Sequence, residues 1–336
     1  MTSRTQTLRA KPLSVSAAVE RWPVKGAFII SRGAKIHVDV IVCRVSDGTH
    51  SGVGEATPIY YEGETAESCI SAIEAFARDH GQFNRQTLLD EMPRGAARNA
   101  LDCALWDLEC QQQGQPLWRQ ATLPEPRALI SAFTISLGDP VKMEADARAA
   151  SGIHSLLKLK LSGSNDHERV AAVHRGAPDA RLIVDANESW NALNVAEEAA
   201  LMARWGVELI EQPVSAGRDD LLANVRSPIP LCADESCHTA ADVPRLAPYY
   251  QAVNIKLDKA GGLTESILIA DAADKAGLKL MVGCMLSTSL AIRPAFALAQ
   301  RATWVDLDGP LLLAKDRPDA MCFAGGQVML DHMSQN

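Results

Sequence analysis

Short runs of apolar residues recur along the second half of the chain, and each is followed by a turn and a segment of helical length. From about residue 128 there are eight such runs: ALISAFTI, SLLKLKL, RLIVDA, VELIEQP, IPLCADES, QAVNIKL, LKLMVGC and TWVDLDG. Continuous apolar runs that alternate with helical segments are typical of parallel strands covered on both faces. Two of the helical segments end at Gly206 and Gly277, which are natural C-caps. The pattern predicts an α/β fold built on a modified (β/α)8-type barrel, in which another structure replaces the eighth helix.

A polar residue lies near the end of each apolar run, at steps of 22 to 28 residues along the chain. These residues are Thr134, Lys160, Asp185, Glu211, Asp234, Lys256, Cys284 and then Asp306 with Asp308. Taken alone, Asp185 is better explained by a turn or a helix cap. In a closed barrel, however, the C-terminal ends of all strands meet around one mouth, where barrel enzymes place their chemistry. The sequence therefore predicts a ring of polar side chains that forms an active site.

Three acids of this ring, Asp185, Glu211 and Asp234, follow consecutive strands. Carboxylate oxygens are hard ligands that suit Mg²⁺, with Mn²⁺ as a substitute. No histidine or cysteine joins these three acids at the ends of their consecutive strands, which disfavours zinc. Any one of these acids could instead be part of a salt bridge, but three in register predict a metal site.

Lysines flank the three acids along the chain. Lys158 and Lys160 face the same side of one strand, because side chains alternate. Repulsion between the two ammonium groups would lower the pKa of one lysine, and a nearby divalent cation would lower it further. The neutral amine could then act as a general base. Lys160 and Lys256 are expected on opposite sides of the metal, which suggests a 1,1-proton transfer through an enediolate. Elimination or ring-opening would use the same groups, and the lysines could also simply neutralise the acids.

Composition narrows the classes of function. The chain has 336 residues, 47% of them hydrophobic, and a formal charge of −8 without a strong basic run, which argues against nucleic acid as a partner. Its eight cysteines include no CxxC pair, which favours reduced thiols in a cytoplasmic protein. The N-terminal residues contain no long apolar stretch, so we expect neither a secretory signal nor a membrane partner. The oligomeric state stays open, with a homo-oligomer among the options.

Five segments, LLKLKL, LIVDANESW, LIEQP, CADES and VNIKLDKAGGLTE, resemble the muconate-lactonizing-enzyme subgroup of the enolase superfamily. That resemblance implies a lysine base acting with Mg²⁺. Within the subgroup, VDLDGP is similar to the DxD of dipeptide epimerases, whose two carboxylates hold the α-ammonium of the substrate. The resemblance thus implies that Asp306 and Asp308 bind the ammonium of a dipeptide such as L-Ala-L-Glu, whose C-terminal Cα is inverted.

The resemblance also implies other substrate contacts. Thr134 and Lys158 should touch the substrate, and Cys284 should line its pocket. At Lys35 the chain departs from the epimerases that act on Ala-Glu, which tend to carry an arginine that pairs with the glutamate side chain. Lysine keeps the charge but loses the bidentate geometry. We still expect an acidic C-terminal residue in the substrate; the alternative for Lys35 is a solvated surface lysine.

The segments PRGAARNALDCALWDL and GEATP are similar to the family's N-terminal capping domain. The resemblance implies an α+β cap over residues 1–122, completed by a C-terminal segment at about 315–336, and a barrel over 123–314.

Within the cap we expect strands at AAVERWPV and KIHVDVIVCRV, and helices at 65–79 and 95–113. Loops at 24–35 and 55–63 should close over the barrel mouth. The C-terminal CFAGGQVML should pack on the cap.

Three alternatives remain from the sequence. An N-acylamino acid racemase or an o-succinylbenzoate synthase would use the same lysines and metal, without an ammonium clamp at Asp306 and Asp308. A Schiff-base barrel would use a buried lysine as a nucleophile, but three neighbouring acids argue against it. A non-catalytic binding protein would not need the complete set of lysines and acids.

Overall fold

An N-terminal cap and an eight-stranded parallel barrel make up the chain in the computed structural model, which describes residues 12–30 and 33–331. The cap sheet is antiparallel and consists of β1 (Ser14–Ile30), β2 (Gly33–Ser46) and β3 (Ser51–Ala56). Its helices are α1 (Ala66–His80), α2 (Arg85–Glu91), α3 (Ala96–Gln113) and α4 (Leu117–Gln120). The two predicted cap strands and the two predicted helices are confirmed to within a residue or two at most ends, although β1 extends well beyond AAVERWPV at both ends.

The segment 24–35 was expected to be a loop, and that expectation is wrong for the described residues. Strand β1 continues to Ile30 and β2 begins at Gly33, so residues 24–30 and 33–35 lie in strands. The pairing shifts register between Pro23 and Phe28. Proline lacks the N–H that a regular ladder would need, which accounts for the interruption at this point.

Eight parallel strands form the barrel in chain order: β5 (Phe133–Ile135), β6 (Leu156–Lys160), β7 (Arg181–Asp185), β8 (Val207–Glu211), β9 (Leu231–Ala233), β10 (Ala252–Ile255), β11 (Lys279–Gly283) and β12 (Trp304–Asp306). A short strand, β4 (Leu129–Ile130), precedes them. The first and last barrel strands meet where the Ala132 N–H donates to the Val305 carbonyl at 2.8 Å. The predicted barrel is confirmed.

Helices cover most of the barrel: α5 (Pro140–Ala150), α6 (Asp166–Gly176), α7 (Val195–Ala203), α8 (Val243–Leu246), α9 (Leu257–Ala260), α10 (Leu263–Ala276) and α11 (Ser289–Ala299). Gly277 ends α10 in the left-handed conformation, as the sequence predicts. A 3-10 helix, Gly309–Leu312, replaces the eighth helix, and another, Asp219–Leu222, stands where a fourth helix was expected. Asp219 accepts hydrogen bonds from Ser236 and Tyr250 instead of capping a longer helix. Among the described residues, no helix is both long and apolar enough to cross a bilayer.

The barrel interior is built in layers. Its apolar floor takes one buried residue from each strand or from the position next to it: Ala132, Leu156, Ile183, Leu209, Cys232, Ala252, Met281 and Trp304. Side chains two positions further along a strand face the same interior. The next layer is therefore mostly polar, and it consists of Thr134, Lys158, Asp185, Glu211, Asp234, Asn254, Gly283 and Asp306.

The C-terminal hairpin packs on the barrel, which corrects the expectation that CFAGGQVML packs on the cap. Its strands, β13 (Cys322–Ala324) and β14 (Gln327–Met329), extend β4 into a separate antiparallel sheet. Gly326, at φ 75°, turns the hairpin, and a Cβ there would lie 2.8 Å from the Ile153 carbonyl oxygen. Contact with the cap occurs earlier, where the Ala314 N–H donates to the Pro23 carbonyl.

Candidate active site

A pocket opens between the C-terminal ends of the barrel strands and the cap. From the cap it is lined by Lys35, Thr57, Pro58, Tyr60 and Tyr61. From the barrel, its polar lining comprises Thr134, Lys158, Lys160, Asn187, Glu235, Lys256, Cys284, Asp306 and Asp308. Eight of the residues predicted from the sequence therefore line one cavity. The segment 55–63 borders it as expected, because its 3-10 helix, Tyr60–Glu62, carries two of the lining tyrosines.

The three predicted metal ligands lie together beneath this pocket. Asp185, Glu211 and Asp234 are at most 1% exposed, and one carboxylate oxygen from each lies within 4.8 Å of the others. Such a cluster of hard oxygens is stable only if cations balance its charge. Both the donor set and its spacing fit Mg²⁺.

Asp185 combines the two roles that the sequence allowed. Its Oδ1 accepts the Asn187 N–H at 2.9 Å, as in a turn, and Asn187 has φ 43°. Its Oδ2 lies 2.6 Å from the Lys160 Nζ and 3.4 Å from the Lys158 Nζ. The turn hydrogen bond thus fixes one oxygen while the other faces the lysines.

The two predicted bases lie on opposite flanks of the acids. Lys160 ends β6 and contacts Asp185, whereas Lys256 follows β10 and lies 2.6 Å from the Asp234 Oδ2. Gly283 leaves space for the second lysine, because a Cβ there would lie 3.2 Å from the Lys256 Cε. A substrate above the acids would therefore meet one amine from each side.

The neighbouring acids determine the pKa values of two of the lysines. Burial would lower the pKa of Lys158, but Asp306 and Glu211 outweigh it and hold that pKa well above its usual value. Asp234 and Glu211 raise the pKa of Lys256 in the same way. At Lys158 and Lys256 the neighbouring carboxylates thus outweigh both burial and the repulsion between lysines. A divalent cation bound to those carboxylates would oppose their effect.

The acidic pair on the eighth strand reaches the same pocket. The Asp306 Oδ2 lies 2.7 Å from the Lys158 Nζ, and the Asp308 Oδ2 accepts the Thr134 N–H at 2.7 Å. Burial and the nearby Asp306 raise the pKa of Asp308 to about 7. The Asp306 Oδ1 is buried without a hydrogen-bond donor among the described residues. This arrangement can accept a cationic donor.

Sequence reasoning missed two fully buried polar residues next to the acids. The Asn254 Nδ2 donates to the Glu211 Oε1 at 2.7 Å, and the Lys259 Nζ lies 3.1 Å from the Asp234 Oδ1. Asn254 lies two positions after Ala252 of the apolar floor, so alternation along β10 places it in the acidic layer once the structure identifies that floor residue. The ring predicted from the sequence instead took Lys256, which lies one layer higher. No comparable local signal distinguishes Lys259.

Two family profiles match the chain. One, described as the mandelate racemase / muconate lactonizing enzyme N-terminal domain, matches residues 13–120, and the other, described as enolase C-terminal domain-like, matches residues 141–329. This chain belongs to the enolase superfamily. The resemblance seen in the sequence motifs is thereby confirmed.

The relatives of this enolase-superfamily chain include epimerases and racemases, which are isomerases. It is 41% identical to the L-Ala-D/L-Glu epimerase of Escherichia coli over 94% of this chain and 99% of that protein. It is 42% identical to the N-acetyl-D-glutamate racemase of a Pseudoalteromonas species, over 86% of this chain and 92% of that protein.

Solved structures of superfamily members agree with the fold. An Agrobacterium tumefaciens member with homology to dipeptide epimerases, holding sodium and L-Ala-L-Glu, superposes with a TM-score of 0.92 at 44% identity, covering 96% of this chain and 99% of that one. A dipeptide epimerase from Methylococcus capsulatus, complexed with Mg and L-Arg-D-Lys, superposes with a TM-score of 0.84 at 31% identity, covering 95% and 97%.

Proposed function

We propose that this chain is a Mg²⁺-dependent dipeptide epimerase that inverts the Cα of the C-terminal residue of a dipeptide such as L-Ala-L-Glu. The observation that carries the proposal is the placement of Lys160 and Lys256 on opposite flanks of three buried acids. The same pocket holds Asp306 and Asp308, which suit a cationic group. The epimerases among the relatives support the same activity.

The reaction is a 1,1-proton transfer that leaves the composition of the substrate unchanged. One lysine, as a neutral amine, removes the Cα proton and becomes an ammonium, and the substrate becomes a planar enediolate. The lysine on the other flank, as an ammonium, returns a proton to the opposite face. Asp185, Glu211 and Asp234 would hold Mg²⁺, which supplies positive charge next to the substrate carboxylate.

The acidic pair would bind the substrate's α-ammonium. Asp306 offers a buried oxygen without a donor among the described residues, and Asp308 lies beside it. A substrate ammonium would satisfy both carboxylates and favour the ionised form of Asp308. We assign Thr134, Lys158 and Cys284 to the same substrate pocket, which each of them lines.

The test of this function is proton NMR of L-Ala-L-Glu in D₂O with the enzyme and Mg²⁺, followed at the glutamate Cα. We expect the Cα proton signal to disappear while the L,D diastereomer appears, and EDTA to stop both changes. The absence of exchange under these conditions, with the protein folded, would reject the proposed substrate.

The racemase relative makes racemisation of an N-acylamino acid the alternative to consider. Both reactions would use the same lysines and metal, but an N-acylated substrate carries no ammonium. A pair of buried carboxylates beside a neutral acyl group would gain no ion pair. The acidic pair therefore favours the dipeptide over an N-acyl substrate or the substrate of an o-succinylbenzoate synthase.

Asp308→Asn separates these alternatives. The variant keeps an oxygen to accept the Thr134 N–H but removes the negative charge. We expect kcat/KM for L-Ala-L-Glu to fall by roughly 10- to 100-fold, the range of a lost charge-assisted hydrogen bond. Turnover of N-acetyl-glutamate, measured in parallel by NMR, should change little. A larger loss with the N-acetyl substrate would favour the racemase.

We also propose that the enzyme works in the cytoplasm, where murein peptides would be recycled. All eight cysteines are free, and five of them are buried, which suits a reducing compartment. Fractionation of the producing cell, with cytoplasmic and periplasmic marker enzymes, tests the location.

A further inference from the structure

Lys259 is a fully buried lysine that the proposed proton transfer does not use. It lies in α9, three residues after Lys256, and its side chain is 1% exposed. It does not line the substrate pocket. A buried ammonium needs partners to offset its desolvation, and those partners indicate its role.

The ammonium group of Lys259 joins the ends of two neighbouring strands. Its Nζ donates to the carbonyl oxygens of Asp234 at 2.5 Å, Cys237 at 2.6 Å and Asn254 at 2.8 Å. Asp234 directly follows β9, and Asn254 lies near the end of β10. An ammonium has three N–H donors, so these carbonyls satisfy it. The contact therefore fixes the main chain that carries Asp234.

The same ammonium also faces the side chain of Asp234. The Lys259 Nζ lies 3.1 Å from Oδ1, while the Lys256 Nζ lies 2.6 Å from Oδ2. Each carboxylate oxygen is thus next to a different lysine, one buried below the site and one lining the pocket. Lys259 therefore holds the main chain of this acid by a hydrogen bond and faces its side chain at ion-pair distance.

We propose that Lys259 is a positioning residue that holds Asp234 in the orientation needed to bind the metal ion. This inference rests on the proposed function only for the identity of Asp234 as a metal ligand. Groups behind a metal ligand commonly change metal affinity by 10- to 100-fold when they are lost, because they orient the ligand.

A positioning role and a purely electrostatic role of Lys259 predict opposite changes in metal affinity when the lysine is removed. If Lys259 acted only through its positive charge, its removal would relieve repulsion and tighten the binding of a cation. If it orients Asp234, its removal weakens binding despite that relief. The sign of the change in metal affinity therefore decides between the two roles.

The experiment measures Mn²⁺ binding by EPR of the free ion, with Mg²⁺ as competitor, for wild type, Lys259→Met and Lys259→Gln. The glutamine variant keeps an amide that can donate to two carbonyls, so it is the safer variant for folding. Arg98→Met is the matched control. Arg98 is also a buried cation that donates to carbonyls of the same turn, those of Ala260 and Gly261, at 2.7 and 3.0 Å. It contacts none of the three acids among the described residues.

We expect the Kd for Mn²⁺ to rise at least tenfold in both Lys259 variants and to stay within about twofold in Arg98→Met. An unchanged or lower Kd in a folded Lys259 variant would overturn the positioning role, as would an equal rise in the control. If wild type itself bound no Mn²⁺ or Mg²⁺, the proposed metal site would fail instead. Circular dichroism of each variant establishes that it is folded.

Discussion

The position of a residue along its strand determines which groups its side chain contacts in this site. Lys158 and Lys160 lie two positions apart on β6 and face the same interior, yet their partners differ. Lys158 is enclosed by Glu211 and Asp306, whereas Lys160 contacts Asp185 nearer the pocket. Lys158 is 1% exposed and Lys160 is 8% exposed, so the deeper lysine is enclosed by more acids although both line the pocket.

Replacing either proposed base tests whether each lysine transfers a proton on its own face of the substrate. We expect Lys160→Ala and Lys256→Ala each to reduce epimerisation by at least 10³-fold, since each removes one proton-transfer group. Each variant should still exchange the Cα proton of one diastereomer, because the other lysine remains. Proton NMR in D₂O, starting from L-Ala-L-Glu and from L-Ala-D-Glu, measures both reactions. Full epimerisation by either variant would contradict the two-base mechanism.

Lys35 supplies a prediction about specificity. Its Nζ lies 4.1 Å from the centroid of the Tyr60 ring, and burial lowers its pKa. We propose that it pairs with the acidic side chain of the substrate. Lys35→Met should lower kcat/KM for L-Ala-L-Glu by about tenfold or more, which corresponds to about 1.4 kcal/mol. Activity toward L-Ala-L-Met, measured in the same assay, should not fall, and an equal loss on both dipeptides would rule out this role.

At the scale of elements, buried ionic contacts join the cap to the barrel. Glu55, on β3, accepts hydrogen bonds from the N–H and hydroxyl of Thr288 at the start of α11. It also pairs with Arg317, whose Nη2 lies 2.7 Å away. Glu55 is 1% exposed, so its charge depends on these partners. The strand that leads into the cap loop over the pocket is thereby fixed to the barrel.

Loss of the arginine should destabilise this junction. Arg317→Met leaves the Glu55 carboxylate buried without its counter-charge, and we expect the free energy of unfolding to fall by about 3 kcal/mol. Urea denaturation followed by circular dichroism measures the change. Arg21→Met is the control, because Arg21 pairs with Asp39 on the surface and is 66% exposed. A similar loss in both variants would show that the buried Glu55–Arg317 pair contributes no more to the free energy of unfolding than a surface pair.

At the scale of the whole molecule, two more buried acids connect cap and barrel. The Asp258 Oδ1 accepts the Thr57 N–H at 2.8 Å and the Asn99 side-chain N–H at 3.0 Å. Asp102 accepts the Thr264 N–H at 3.0 Å. Burial raises the pKa of Asp258 to about 7 and that of Asp102 to about 6. Both acids therefore bind protons more tightly in the folded protein than in the unfolded chain.

This difference predicts how stability depends on pH. Between about pH 4 and pH 7 the unfolded chain releases the Asp258 proton first, so the free energy of unfolding decreases as pH rises. For Asp258 the loss between pH 5 and pH 8 is about 2–3 kcal/mol. Asp258→Asn should remove that share of the pH dependence in urea titrations at the two pH values. Asp79→Asn, at a site 65% exposed, should leave the pH dependence unchanged. An identical pH dependence in wild type and Asp258→Asn would reject the assignment.

The sequence by itself determined the barrel and the ring of polar residues. Strands buried on both faces must be continuously apolar, so their period along the chain is visible without a structure. Because the ends of parallel barrel strands meet, Asp185, Glu211 and Asp234 could be placed together from their spacing alone. Their individual roles remain predictions for the experiments above.

Only the tertiary structure decided which residues in each run occupy the acidic layer and which lie above it. Alternation along a strand determines which side chains point into the barrel, but their depth depends on the register between strands, which closure of the barrel sets. The sequence therefore did not predict that Asn254 and Gly283 lie in the acidic layer. The cap contacts join residues that are far apart in sequence, such as Thr57 with Asp258 and Glu55 with Arg317, at separations of 201 and 262 residues. No local pattern encodes such pairs, because their formation depends on how the cap docks on the barrel. The role of Lys259 could not be predicted from the sequence for the same reason, because its partner carbonyls come together only where β9 and β10 end side by side.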